Sequence, residues 1–195
     1  IDSLQKLATS YSGDNQLMND IRSTFDQWES QLPDLDLSTL YFKITVLRLG
    51  KLIEDEFDRS CRIHHDLRAT DARVLFTLRR AGEPYMLRPT DIFKSLLISA
   101  GAVTKQVDRL SSRGLAKRRQ DPSHAGGTLV QLTPKGITVS DEIAMTVSSQ
   151  GKVYEAMESL SQAQQEKTLN FLLKLLYKLN NISTPPMEGL QKSAL

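Results

Sequence analysis

Residues 99–119 read SAGAVTKQVDRLSSRGLAKRR, and this stretch decides the fold. Ser99 suits an N-cap, because its hydroxyl can accept from an orphan amide of the first turn. Gly114 stands where a left-handed residue ends a helix. Between them, Ala100 to Arg113 reads as one helix. Ala100, Val103, Val107 and Leu110 share a face that would seat it on a core. Gly101, Thr104, Lys105, Asp108 and Ser112 lie around the opposite face, with Arg109 beside them. After Gly114 the apolar period changes. Leu115 to Arg119 and Thr128 to Leu132 read as strands, joined through Asp121-Pro122-Ser123-His124-Ala125-Gly126-Gly127, so a hairpin follows the helix.

Upstream, Pro89 is a good first-turn residue for a short helix to Leu96. Thr70, with Asp71 in the first turn, starts another helix whose apolar members are Val74, Leu75 and Leu78; Ala81-Gly82-Glu83-Pro84 stops it. Ser38 is placed to N-cap a long helix to about Arg62, with Leu40, Ile44 and Leu47 on one side. Before it, Leu17, Ile21, Phe25, Trp28 and Leu32 fall on one helical face that ends at Pro33, and residues 33–37 form an extended connector. Residues 1–13 are polar and unpatterned, which predicts a frayed start.

Downstream, Thr133-Pro134 launches a helix through roughly Met157, with Gly151 a weak point inside it. Ser161 and Gln164 have capping-box spacing ahead of a last helix, whose Leu169, Leu172, Leu173, Leu176 and Leu179 form a broad apolar stripe. Residues 183–195 read as a loose tail. Helix, short helix, helix and hairpin is the order of a winged helix-turn-helix. The predicted fold is therefore mainly α, with a small wing of two or three strands.

The 195 residues are 39% apolar and 25% charged, an ordinary globular composition. No stretch approaches the roughly 20 apolar residues of a membrane span. Ile1-Asp2-Ser3-Leu4 lacks the basic head and apolar run of a signal peptide. A lone cysteine, Cys61, points to a reducing cytoplasm and reads as a packed thiol. His64-His65-Asp66 lacks the spacing of a metal site. There is no phosphate-binding loop, dinucleotide turn or nucleophile elbow, so neither an enzyme, nor a metal, nor a cofactor is expected.

Charge is distributed unevenly. Residues 1–37 hold two basic and seven acidic residues, whereas residues 88–119 hold eight basic and two acidic ones. A basic block within a nearly neutral chain suggests a polyanion site. A major groove about 12 Å wide accepts one helix with small, polar and basic side chains. Ser99 and Gly101 let the helix start approach phosphate, where the helix dipole adds positive charge. Lys105 and Arg109 are candidates for base-edge or phosphate contact and Thr104 for a supporting hydrogen bond, with Arg113, Arg119 and His124 flanking them.

The run from Leu97 to Leu115, then Lys117-Arg-Arg-Gln-Asp-Pro122, then Leu129-Val-Gln-Leu-Thr-Pro-Lys-Gly136, resembles the MarR family of bacterial transcriptional regulators. The resemblance covers about residues 38–181. It implies a homodimer binding a pseudo-palindromic double-stranded operator. Residues 38–66 and 134–182 would form the dimerisation region, residues 67–133 the DNA-binding domain, and residues 1–37 an extension with an extra helix.

That extra helix and Pro84-Tyr-Met-Leu-Arg-Pro-Thr-Asp91 are similar to the urate-responsive PecS/HucR type. The ligand set of that type implies Trp28, position 73, position 106 and Arg118. Trp28 and Arg118 match, but Arg73 replaces an aspartate and Gln106 an arginine. A small anionic or aromatic effector is expected in place of urate. At the wing tip Ala125 and Gly126 stand where the family carries arginines, and arginine is the favoured side chain for a narrow minor groove. Two alternatives follow from these departures: a low-specificity architectural DNA-binding protein, or a ligand-binding dimer that has lost operator contact.

Overall fold

The computed structural model describes residues 16–96, 99–124 and 126–181. In chain order these form α1 (Gln16–Gln31), α2 (Ser38–His65), α3 (Ala69–Arg80), β1 (Met86–Leu87), α4 (Pro89–Leu96), α5 (Ala100–Ser112), β2 (Ala116–Gln120), β3 (Thr128–Leu132), α6 (Pro134–Ser149), α7 (Lys152–Glu158) and α8 (Gln162–Asn181). The expected frayed start at 1–13, the tail at 183–195 and the wing-tip position Ala125 lie outside the described residues. The chain divides into two units, one through Ser148 and one from Ser149.

The first unit holds the winged helix. Leu75 and Leu78 of α3, Ile92 of α4, Val103, Val107 and Leu110 of α5 and Val130 of β3 are each 1% exposed or less. Cys61 of α2 and Ile143 of α6 close the same core. The wing is a three-stranded antiparallel sheet of order β1-β3-β2. Ala116 pairs with Leu132 and Gln120 with Thr128, while the two residues of β1 add the third strand through Met86–Gln131 and Leu87–Val130. A second cluster joins α1 to α2. Phe25 stacks on Tyr41 with ring centroids 4.0 Å apart, and the Tyr41 hydroxyl bonds Glu29 Oε1 at 2.8 Å. Burial and that carboxylate push the Tyr41 phenol up to about 12.

Several helix starts differ from expectation. Ser38 is the first helical residue of α2 and does not cap it; Leu37 holds the N-cap position without a side-chain bond, and the Ser38 amide and hydroxyl both donate to Asp36 Oδ1. At α3 the helix begins at Ala69, one residue before the expected start at Thr70. The Ala69 amide finds its acceptor in the tertiary structure, at Asp58 Oδ1 of α2, 2.8 Å away. Leu47 is 73% exposed, whereas Leu40 and Ile44, expected on the same side, pack on the cluster that joins α1 to α2. The helix expected to run from Pro134 to Met157 is broken: Gly151 adopts φ +97°, which ends α6 and lets α7 start afresh. Ser99 caps α5, its hydroxyl accepting from the Ala102 amide at 3.3 Å.

In the second unit the capping box is present. The Ser161 amide donates to Gln164 Oε1 at 2.9 Å, and the Gln164 amide to Ser161 Oγ at 3.4 Å. No residue of α8 is buried.

The tightest approach in the first unit is at the start of α6. A Cβ on Gly136 would lie 1.9 Å from the Leu115 carbonyl oxygen, which accepts from the Thr133 amide at 3.1 Å. Gly136→Ala is expected to destabilise the protein by about 3 kcal/mol, the upper part of the range for overpacking, read as a lower urea midpoint with an unchanged slope. Burial also pushes the Cys61 thiol up to about 11. Cys61 is therefore expected to ignore an aromatic disulfide reagent at pH 8 until denaturant is added; a rapid reaction in the native protein would contradict this packing.

Candidate nucleic-acid interface

The helix α5 is a rod with one dry side. Val103, Val107 and Leu110 are buried, while Ser99, Gly101, Thr104, Lys105, Asp108 and Ser112 are exposed. Ala100, expected on the inner face, is exposed at the helix start, and Gln106 replaces it inside at 5% exposure. Thr104 Oγ1 donates to its own helix at Ala100 O, 3.2 Å. Lys105 has no side-chain partner among the described residues.

The arginines are mostly engaged within the chain. Arg109 grips Asp71 with two nitrogens, Nη2 to Oδ1 at 2.5 Å and Nε to Oδ2 at 3.1 Å. The Asp71 side chain is 4% exposed and that of Arg109 37%. A buried carboxylate requires such a partner, and this one also sits favourably in the first turn of α3. Arg113 donates to the carbonyls of His65, at 2.8 Å, and of Asp66, at the end of α2, where helical carbonyls have no acceptor role left within the helix. Arg118 reaches Asp108 at 2.7 Å, and Arg119 makes only a long contact with Gln131 Oε1 at 3.4 Å. Arg109 and Arg113, expected to extend outward, are thus drawn inward by groups that need donors. A cavity of about 290 Å³ opens beside them, bounded by Arg62, Arg68, Asp71 and Arg109 among others. Arg62 there is held by Asp58 at 2.5 Å.

The four positions of the implied ligand set are engaged separately. Trp28 is 42% exposed on α1. Arg73 is bound to Glu54 and lies over the Phe57 ring, 5.6 Å from its centroid. Gln106 is in the core with Oε1 unpartnered, and Arg118 is on Asp108. None of the four lines the cavity beside Asp71.

The wing turn is built on Asp121. One of its oxygens accepts from the Ser123 amide at 2.9 Å and hydroxyl at 2.6 Å; the other accepts from Arg88 Nε at 2.8 Å. These bonds, the Ser123 pair foremost, hold its carboxyl down at about 2. His124 is exposed at the tip. Reading the residues alone missed Asp71 as the partner of Arg109 and Arg88 as the partner of Asp121. Their separations of 38 and 33 residues leave no local signal.

Comparison with known proteins agrees with this geometry. A family model described as MarR family matches residues 65–125. The HTH-type transcriptional regulator PecS of Dickeya dadantii is 28% identical over 124 residues, covering 64% of this chain and 74% of that protein. The multiple antibiotic resistance protein MarR of Salmonella typhimurium is 30% identical over 135 residues, covering 66% of this chain and 90% of that protein. The crystal structure of a point mutant of MarR from E. coli, complexed with operator DNA, aligns at a TM-score of 0.56 and 28% identity, covering 73% of this chain and 99% of that one. With its capped helix α5, its three-stranded wing and a relative matched over nine-tenths of its length, the chain belongs to the MarR family.

Proposed function

We propose that the protein is a transcriptional regulator that binds a pseudo-palindromic DNA operator as a homodimer and is released or retained by a small anionic or aromatic effector. The observation that carries this reading is α5 itself. A core-seated helix presents Gly101, Thr104 and Lys105 to solvent beside an antiparallel wing, in a chain similar to a protein crystallised with its operator. On α5, Lys105 is the cation that can reach the duplex without breaking an internal pair, since Arg109 is held by Asp71. Arg109 acts second, holding the roll of the helix through Asp71.

Dimerisation is supported by exposed apolar faces on each unit. On α2, Phe42, Val46, Leu49 and Ile53 recur at helical spacing and are 38–52% exposed; on α8, Leu169, Leu172, Leu176 and Leu179 are 37–63% exposed. A second copy of the chain would cover such faces. Residues 67–133 then act as the DNA-binding domain. In a dimer the half-sites lie about one helical turn, 34–36 Å, apart. An effector that changes the separation of the two α5 helices loses contacts at both half-sites together. For the effector, the urate-type set keeps Trp28 and Arg118, and Arg73 adds a guanidinium that a ligand anion would take from Glu54. No helix among the described residues is long and apolar enough to cross a membrane, and the place of action proposed is the cytoplasm.

Lys105→Ala is expected to weaken binding to a duplex selected from random sequence and, for a phosphate contact, to lower the salt slope by about 0.9. Asp71→Asn leaves the Arg109 charge without its partner and is expected to reduce folding stability by about 2 kcal/mol in urea titration, less than a fully buried pair because Arg109 is partly hydrated. Unchanged duplex affinity of both Lys105→Ala and Arg109→Ala would overturn the reading. Calorimetry with urate and with aromatic carboxylates is expected to show heat for the carboxylates, and tight urate binding would refute the effector assignment.

A further inference from the structure

The wing turn is a closed body. The Asp121 amide donates to Gly127 O at 2.9 Å, and the Gly127 amide to His124 O at 2.9 Å. A Cβ on Gly127 would meet Asp121 Cβ and His124 O at 3.0 Å each, so the turn has no slack on that side. Asp121, His124 and Gly127 are thus bonded to one another, and a contact that ties Asp121 to the rest of the lobe bears on where all three stand.

That tie is Arg88. Its carbonyl accepts from the amides of Asp91 and Ile92 at 2.9 and 3.2 Å, which fixes its backbone at the start of α4. Its guanidinium reaches across to the wing, with Nε on Asp121 Oδ2 at 2.8 Å and Nη2 on Ser123 Oγ at 2.9 Å. Ser123 Oγ in turn donates to Asp121 Oδ1 at 2.6 Å, so three side chains form a closed ring. The Asp121 side chain is 4% exposed, and its carboxyl, held at about 2, stays charged at any ordinary assay pH. The ring uses the planar fork of an arginine, which a lysine cannot reproduce.

We propose that Arg88 is a positioning residue that sets where the wing meets duplex DNA relative to α5. The assignment rests on the operator-binding reading above. Residues 121–127 contain no arginine or lysine. A long basic side chain can search for phosphate from a misplaced turn, whereas short side chains and backbone amides cannot. A wing of this composition depends on being delivered at the right place, and the Arg88 ring delivers it from α4, which packs on α5 through the shared core.

The test uses the full chain and a duplex that the unaltered protein selects from random sequence, with affinity read by fluorescence anisotropy over a salt series. Arg88→Ala and Arg88→Lys are both expected to weaken binding about tenfold, the scale of a coupled polar group, with the salt slope unchanged. Asp121→Asn is expected to weaken it similarly, and the double variant Arg88→Ala/Asp121→Asn no further. Without DNA, amide exchange at Asp121 and Gly127 is expected to quicken in each variant. Wild-type affinity for Arg88→Lys, a slope lower by about 0.9 as for a lost phosphate contact, or additive losses in the double variant would overturn the proposal. Should Arg88→Ala fail to fold, Ser123→Ala removes the shared hydroxyl and leaves both charges; faster exchange there with unchanged affinity would equally overturn it. Failure of the unaltered protein to select any duplex would instead remove the operator-binding reading, and this assignment with it.

Discussion

The seating of α5 on α3 is the constraint from which the rest of the molecule follows. Val103, Val107 and Leu110 are removed from water against Leu75, Leu78 and Val130, each worth roughly 1.5–3 kcal/mol. Those three side chains fix which way the helix faces. A roll about its axis would bring Lys105 inward and expose the valines. The Asp71–Arg109 pair at the edge of this contact adds direction to the apolar seat, because a carboxylate 4% exposed cannot be left without its cation. Apolar burial holds the helix down, and the ion pair limits its rotation.

The same logic redistributes the basic block of residues 88–119. Arg88, Arg109, Arg113 and Arg118 are bound to Asp121, Asp71, the end of α2 and Asp108. Their charge still contributes to the field around the lobe, but their forks are committed to holding elements in place. Under the proposed reading, direct contact with a polyanion falls to the side chains that remain, Lys105 among them. These arginines act as internal scaffolding between α2, α3, α4, α5 and the wing.

Tyr41 does for the amino-terminal helices what Arg109 does for α5. Its ring stacks on Phe25 and its hydroxyl is held by Glu29 and by the Phe25 carbonyl. This cluster covers one side of α2 and leaves Phe42, Val46, Leu49 and Ile53 on another. The long helix thus has one face closed by α1.

Local patterns in the residues were enough for the helix, short helix, helix and hairpin of the winged lobe, for the Ser99 cap, for the Ser161–Gln164 box and for the seating of α5 by Val103, Val107 and Leu110. Each of these depends on neighbours within about four positions, where helical geometry makes spacing equivalent to proximity. Chain folding alone decided which arginines are free. The partners of Arg109 and Arg88 lie 38 and 33 residues away, and the Ala69 amide finds Asp58 across a helix junction. It also decided that Gly151 ends a helix and that Gln106 turns inward while Ala100 does not. A charged or polar group is satisfied by whatever the completed fold brings within about 3 Å, and no sequence spacing encodes that distance.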